Sequence, residues 1–316
     1  MDGGDMARRF AARPRNAPRV LCAGSITHDH VYTIPEPLVV GSKHRATSRF
    51  VIGGGVAANA AVAIARLGGR ATLLGAVGTD EVGDIVLDEL RAERVDVNHI
   101  RRLAATATPE SVVIVQPDGS RTIVAHASID LGQLAVPGLP SGELSAVLVD
   151  ARWPEATRAA LDRARGSGVP GVVDVDRLPT DTTLLDLASH LVFSESAMTE
   201  FSGSDDVEVG LRTVAAAVRA EVSVTLGERG VTWLEGDEIR HLDGFPVDAV
   251  DTTGAGDVFH GAFALALAEG SGTLAAFGFA SAAAALKCSR PGARAGIPDR
   301  ATVDEFLRSH PPTLAR

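Results

Sequence analysis

The chain has 316 residues, a formal net charge of −10 and a pI near 5.4, so it lacks the basic surface that non-specific nucleic-acid binding needs. Hydrophobic residues make up 45% and aromatic residues 4%, enough for one large, aliphatic, alanine-rich core. The two cysteines, Cys22 and Cys288, lie in apolar segments and are too few for a disulfide framework or a zinc site.

No apolar run reaches the length of a membrane span. The Arg-rich start, residues 1–17, has no hydrophobic centre of a signal peptide and reads as a disordered tail. These features predict a cytoplasmic protein that binds neither membrane nor nucleic acid. Residues 18–316 read as one α/β domain.

The predicted elements run as follows. Val20–Ala23 is a first strand, turned by Gly24-Ser25. Residues 30–51 read as extended. Gly53-Gly54-Gly55 opens a helix over Val56–Leu67, and Ala71–Val77 is a strand before a helix over Asp80–Glu93. Ser111–Val115 and Arg121–Ala125 flank Gln116-Pro117-Asp118-Gly119, a hairpin signal. Strands at 147–149, 169–174, 191–194 and 222–226 then alternate with helices at 154–165, 197–202 and 207–220. Two Ala-rich helices fill 254–288. Such alternation predicts a mostly parallel sheet with helices on both faces. The β-rich stretches at about 27–52 and 95–128 break the alternation and read as a small sheet leaving the core.

Asp251-Thr252-Thr253-Gly254-Ala255-Gly256-Asp257-Val258-Phe259 bears the clearest chemistry. Small residues at a helix start let backbone N–H groups approach an anion, which the helix dipole favours. A carboxylate in the same turn makes sense as a base beside a phosphate, which suggests phosphoryl transfer to a hydroxyl. A purely structural reading makes Thr253 the helix cap and Asp257 a complement to the dipole. Ligands of α/β folds gather at the carboxyl ends of strands. Asp29, Gly53 to Asn59, Asp150 to Arg152, Ser194-Glu195 and Thr225 to Gly230 all fall at such ends.

Two segments together resemble the hallmark motifs of the ribokinase-like (PfkB) carbohydrate kinases, and the likeness extends from Arg19 to Pro298. The first is Gly53 to Asn59, with Gly75 to Asp80 downstream; the second is Asp251 to Phe259. The resemblance implies an α/β sheet with a β-sheet lid, ATP as donor, Mg2+, and a sugar-like acceptor. Asp257 is then the base, and Gly254, Ala255 and Gly256 the anion hole. Asp257 acts late in a loose transition state and needs no raised pKa. Asp29, Gly54, Gly55 and Asn59 are implied acceptor ligands; Asp29 also reads as a turn cap, and Asn59 as a helix-start residue. Thr225, Gly227, Gly230 and Ser194 are implied on the nucleotide side, although Thr225 to Gly230 also reads as an ordinary hairpin turn. The loop 289–296 resembles the segment that closes over adenine and helps hold a monovalent cation, hence K+. Ser194 and Ala197 replace the Asn and Glu of the family's Asn-x-x-Glu motif, leaving Glu195 as the candidate metal carboxylate.

Arg152 follows a strand, and its guanidinium suits an anion. Lys43, in the lid segment, offers a second charge. Asp150 to Trp153, Phe193 to Glu195, Val250 to Gly261 and Ala284 to Pro298 resemble one subgroup, the sulfofructose kinases. In that reading Arg152 and Lys43 bind the sulfonate. Ala125-His126 departs from the subgroup's Asn beside an aromatic residue, with His126 in the amide's place, and Asn59 stands where the subgroup has Thr. The leading expectation is an anionic ketose, 6-deoxy-6-sulfofructose, phosphorylated at its 1-hydroxyl; fructokinase, ribokinase or another sugar or nucleoside kinase is the alternative. A sensor on the same fold is disfavoured by the intact base and anion hole. A dinucleotide oxidoreductase is disfavoured because Gly53-Gly54-Gly55 lacks Gly-x-Gly-x-x-Gly spacing. A small lid sheet with one apolar face predicts a homodimer through the lid.

Overall fold

The computed structural model describes residues 16–314. The expected disordered tail lies almost wholly outside them. A nine-stranded sheet forms the centre. Its strands are β1 (Arg19–Ala23), β4 (Arg70–Gly78), β5 (Asp96–Leu103), β8 (Ala146–Val149), β9 (Gly171–Val175), β10 (His190–Ser194), β11 (Glu221–Thr225), β12 (Val231–Glu235) and β13 (Glu238–Leu242). The order is β13-β12-β11-β10-β9-β8-β1-β4-β5, parallel from β5 through β11 and antiparallel over β11-β12-β13.

Alternation along β1 divides the core. Val20 and Cys22 face one hydrophobic cluster, and Leu21 and Ala23 face another. The first cluster takes α1 (Val56–Arg66), α2 (Glu81–Ala92), α6 (Ala255–Ala268) and α7 (Thr273–Cys288); the second takes α3 (Pro154–Ser167), α4 (Glu195–Ser202) and α5 (Val207–Ala217). α8 (Arg300–Ser309) covers the first cluster through Val303. Alanine makes the α1–α6 contact close. A Cβ on Gly261 would lie 2.6 Å from the Ala60 carbonyl oxygen. That approach brings Asn59 of α1 beside Asp257 of α6.

The second sheet has four strands in the order β3-β2-β6-β7, from β2 (Thr27–Thr33), β3 (Ser48–Gly54), β6 (Glu110–Val115) and β7 (Arg121–His126). The 116–119 turn joins β6 to β7 as expected, with Gly119 at φ 77° and its N–H bonded to the Gln116 carbonyl. The expected excursion over 95–128 is shorter. Asp96–Leu103 pairs in parallel with β4 and belongs to the large sheet. The sequence reading also missed the β12–β13 hairpin and α8; the Gly236-Asp237 turn, with Gly236 at φ 60°, was the available signal for the hairpin. Cys22 is buried and Cys288 partly buried, both as free thiols.

Candidate active site

A cavity of about 860 Å3 opens between the two sheets, large enough for a small ligand. The small sheet contributes Asp29, Ser111, Ile123 and Ala125 to its wall; the large domain contributes Asn59, Asp174, Ser194, Thr225, Gly254, Gly256 and Asp257. Arg121 of β7 donates to the Thr252 carbonyl (3.0 Å) and hydroxyl (2.9 Å), tying the small sheet to the phosphate motif.

Helix α6 starts at Gly254, not Thr253. Gly254 has φ 73°, and no side chain caps the helix. The cap reading of Thr253 therefore fails, and a left-handed residue is needed where glycine stands. An uncapped first turn leaves N–H groups without intrahelical partners. Gly254 and Gly256 line the cavity. The Ala255 N–H turns back to the Thr252 carbonyl at 3.2 Å, so Ala255 contributes less than expected.

Asp257 sits at the cavity floor. Asn59 Nδ2 donates to its Oδ2 at 2.7 Å. Burial raises its pKa to about 7, Asp174 adds to the rise, and the Asn59 hydrogen bond and His260 oppose it. The sequence did not call for such a shift; poor hydration and a second carboxylate, both products of the fold, disfavour ionisation. His260 lies 2.9 Å from Asp174. Burial alone would lower the His260 pKa, but Asp174 and the Gly256 carbonyl outweigh it and raise the value to about 9.

On the acceptor side, Asp29 Oδ1 accepts from Ser111 Oγ at 2.6 Å and Thr27 Oγ1 at 2.9 Å. A Cβ on Gly54 would collide with the Asp29 carboxylate, and one on Gly55, at φ 94°, would meet the Ser25 carbonyl at 2.5 Å. Glycine is therefore required at both positions. Arg294 was not foreseen as a site residue. It is buried, donates to Asn59 Oδ1 (2.7 Å) and the Gly54 carbonyl (2.8 Å), and so orients the amide toward Asp257. Burial lowers its pKa to about 10, against the pull of Glu89 and Asp29. Its place in the 289–296 loop was the only sequence hint.

Arg152 lines the cavity, but two carboxylates already engage it. It bonds Asp176 at 2.5 Å and lies 3.7 Å from Asp150, whose oxygens also hold the Ser25 N–H (2.7 Å) and hydroxyl (2.6 Å). Burial works against its charge, yet Asp150 and Asp176 together raise its pKa. Ala151, at φ 56°, turns the chain between the two residues. Lys43 is exposed and does not line the cavity. His126 lines it from the end of β7.

On the other side, Ser194 caps α4 and donates to the Asp176 carbonyl at 3.1 Å, and Thr225 lines the cavity. Gly227 (φ 61°) and Gly230 (φ 94°) shape the β11–β12 turn without lining the cavity, so the hairpin-turn reading describes their geometry. Glu195 does not reach the cavity; it pairs with Arg229 at 2.6 Å. Asp176, which also lines the cavity there, is the partner of Arg152.

Beside the 289–296 loop, the oxygens of Asp251 already have partners. Lys287 is wholly buried, donates from Nζ to the Asp251 carbonyl at 2.6 Å and lies 3.3 Å from Asp251 Oδ1. Asp251 Oδ2 accepts from the Gly292 and Ala293 N–H groups, both at 2.9 Å. The Lys287 ammonium thus engages two oxygens of Asp251.

A base, an uncapped helix start and hydroxyl-binding polar groups in one cleft define a kinase of small hydroxylated molecules. The chain belongs to the pfkB family of carbohydrate kinases, whose model matches residues 17–300. It is similar to the ribokinase of Bacillus subtilis (strain 168), at 32% identity over 295 residues, 92% of this chain and 99% of that one. It is also similar to a Klebsiella pneumoniae fructokinase, at 34% over 228 residues, 65% of this chain and 74% of that one. The structure of Arabidopsis thaliana ribokinase complexed with ribose and ATP matches with a TM-score of 0.79 at 27% identity, covering 92% and 99% of the two chains. The chain is an ATP-dependent carbohydrate kinase.

Proposed function

We propose that the chain phosphorylates the primary hydroxyl of a neutral furanose sugar, with ribose the first acceptor and fructose the second. One observation supports this above others: Arg152 is neutralised by Asp150 and Asp176, while Lys43 stands outside the cavity. An anionic acceptor would have to compete with the Asp150 and Asp176 carboxylates for the guanidinium. Asp29, Asn59 and Asp257 suit hydroxyl groups instead. The full-length likeness to ribokinases agrees.

In this reading the acceptor hydroxyl lies between Asn59 and Asp257, and the Asp257 carboxylate takes its proton as the bond to phosphorus forms. The N–H groups around Gly256 face the charge on the transferring phosphoryl group. Ser194 and Thr225 bound the nucleotide side. Asp176, once released from Arg152, would be the residue to hold a Mg2+ ion brought in with ATP, which would supply charge neutralisation for the phosphates. The outer face of the small sheet exposes Val112 (37%) and Val124 (63%), which supports a homodimer through that sheet.

A second reading keeps 6-deoxy-6-sulfofructose as acceptor. Arg121, Arg177 and His126 also line the cavity and offer N–H donors that a sulfonate could use. ADP release with ribose, fructose and sulfofructose separates the two. Turnover fastest on a neutral sugar is expected; higher kcat/KM on the sulfonate, lost in Arg152→Ala, would overturn the neutral reading.

A further inference from the structure

Three metal-ligating side chains converge on the small sheet, on the face opposite Asp29, with Glu110 also at the edge of the kinase cavity. His28 and His30 lie two residues apart on β2 and share a face of the small sheet. The parallel pairing of β2 with β6 sets Glu110 opposite His28. Glu110 Oε1 is 2.9 Å from His30 Nε2 and 3.8 Å from His28 Nδ1. One ligand atom from each residue lies within 4.8 Å of the others, and among the described residues no other such group occurs.

His28 needs explaining. Its side chain is 8% exposed, and Nδ1 is buried without a hydrogen-bond partner. An unpaired buried polar atom costs about 1–3 kcal/mol. A proton shared between His30 and Glu110 accounts for their short contact but leaves His28 Nδ1 unsatisfied. A cation between the three side chains satisfies all of them.

We propose that His28, His30 and Glu110 bind a divalent transition metal, zinc by preference, on the outer face of the small sheet. Two imidazoles and a carboxylate are a borderline donor set that suits zinc; magnesium and calcium prefer oxygen alone. Tetrahedral bonds of about 2.0–2.1 Å set ligand atoms roughly 3.3 Å apart. The two observed separations, 2.9 and 3.8 Å, lie on either side of that value. Small side-chain rotations complete the geometry, and one bound water fills the fourth position, also where a second copy covers this face. Metal on His30 Nε2 moves its proton to Nδ1, so Arg49, now 3.4 Å from Nδ1, swings toward the Tyr32 hydroxyl.

The site bears on the cleft through the sheet. Asp29 lies between the two histidines in sequence and accepts from Ser111, the neighbour of Glu110. A metal ion joining β2 to β6 holds both strands beneath the acceptor ligand.

The test uses the full chain, stripped with a chelator and titrated with Zn2+ or Co2+ in millimolar Mg2+. One equivalent of Zn2+ is expected to bind and raise the melting temperature, and Co2+ to give the strong visible absorption of a four-coordinate ion. His30→Gln and Glu110→Gln alter partly exposed side chains, and circular dichroism confirms their folding. Each is expected to weaken Zn2+ at least about tenfold and to remove the thermal shift. Equal affinity in the wild type and both variants would place the metal elsewhere and overturn the proposal. So would displacement of Zn2+ by Mg2+, or the lack of any saturable Zn2+ binding.

Discussion

His260 Nδ1 lies 2.9 Å from Asp174 Oδ2 and 2.6 Å from the Gly256 carbonyl, one helical turn beyond Asp257. The pair ties strand β9 to the phosphate motif. It also sets the charge around the base: Asp174 raises the Asp257 pKa and His260 lowers it.

The rate should follow. A base is active when deprotonated, and Asp257 titrates at about 7, so kcat/KM should rise with pH through that value and level above it. His260→Asn removes the opposing positive charge and should move the acid limb upward. Asp174→Asn should move it down. A pH profile that stays fixed in both variants would remove the pair from the charge balance around Asp257.

Asp257→Asn should lower kcat by about 10²–10⁴ while leaving nucleotide affinity intact, the usual contribution of a general base. Stability should move the other way. A carboxyl whose folded pKa is raised stabilises the fold fully below its unfolded pKa and loses that contribution as pH rises through the folded value. Above pH 7 the wild type therefore holds an unfavourable buried charge that the amide lacks. The variant should gain roughly 1–3 kcal/mol at pH 8 and little at pH 4, seen in denaturant melts.

Arg294→Met removes the donor that orients Asn59. The acceptor KM should rise about tenfold or more, with ATP KM little changed, because Arg294 touches Asn59 and Gly54 on the acceptor side. An equal rise in both KM values would place its influence elsewhere.

Lys287 supplies a fixed ammonium at Asp251. Initial rates in K+, Na+ and choline salts at matched ionic strength should agree within about twofold, since a resident charge leaves no cation to exchange. Lys287→Met should cost roughly 1–3 kcal/mol, since it removes the cation partner of Asp251 while the Thr253, Gly292 and Ala293 N–H groups still bond its carboxylate. Strong K+ activation of the wild type would contradict this assignment.

Gly261→Ala should destabilise the fold by about 1–3 kcal/mol, because its Cβ would meet the Ala60 carbonyl. It should also slow transfer, since the same helix crossing sets Asn59 against Asp257. Crystallography or exchange measurements on the variant would report the displaced crossing.

Much of this molecule was readable from pattern. Apolar four- to six-residue runs separated by helical repeats announce a parallel sheet. Gly254 to Asp257 announces a helix start beside an acid, because few other functions need glycines there. β12 and β13 were missed because their turn is short and their residues are mixed in polarity. β5 was misassigned because an edge strand looks alike in either sheet; only pairing with β4 distinguishes them.

By itself, the sequence determined the kinase class, the Gly254 to Asp257 motif and most of the strand–helix alternation, since these depend on local spacing and on residues whose chemistry has few other uses. Only the tertiary structure decided the charges. It placed Asp176 against Arg152, Arg229 against Glu195, Lys287 against Asp251 and His260 against Asp174. Whether a guanidinium is free for a ligand, or a carboxylate free for a metal, depends on partners up to 86 residues away (Asp174 to His260). Spacing along the chain does not encode those distances.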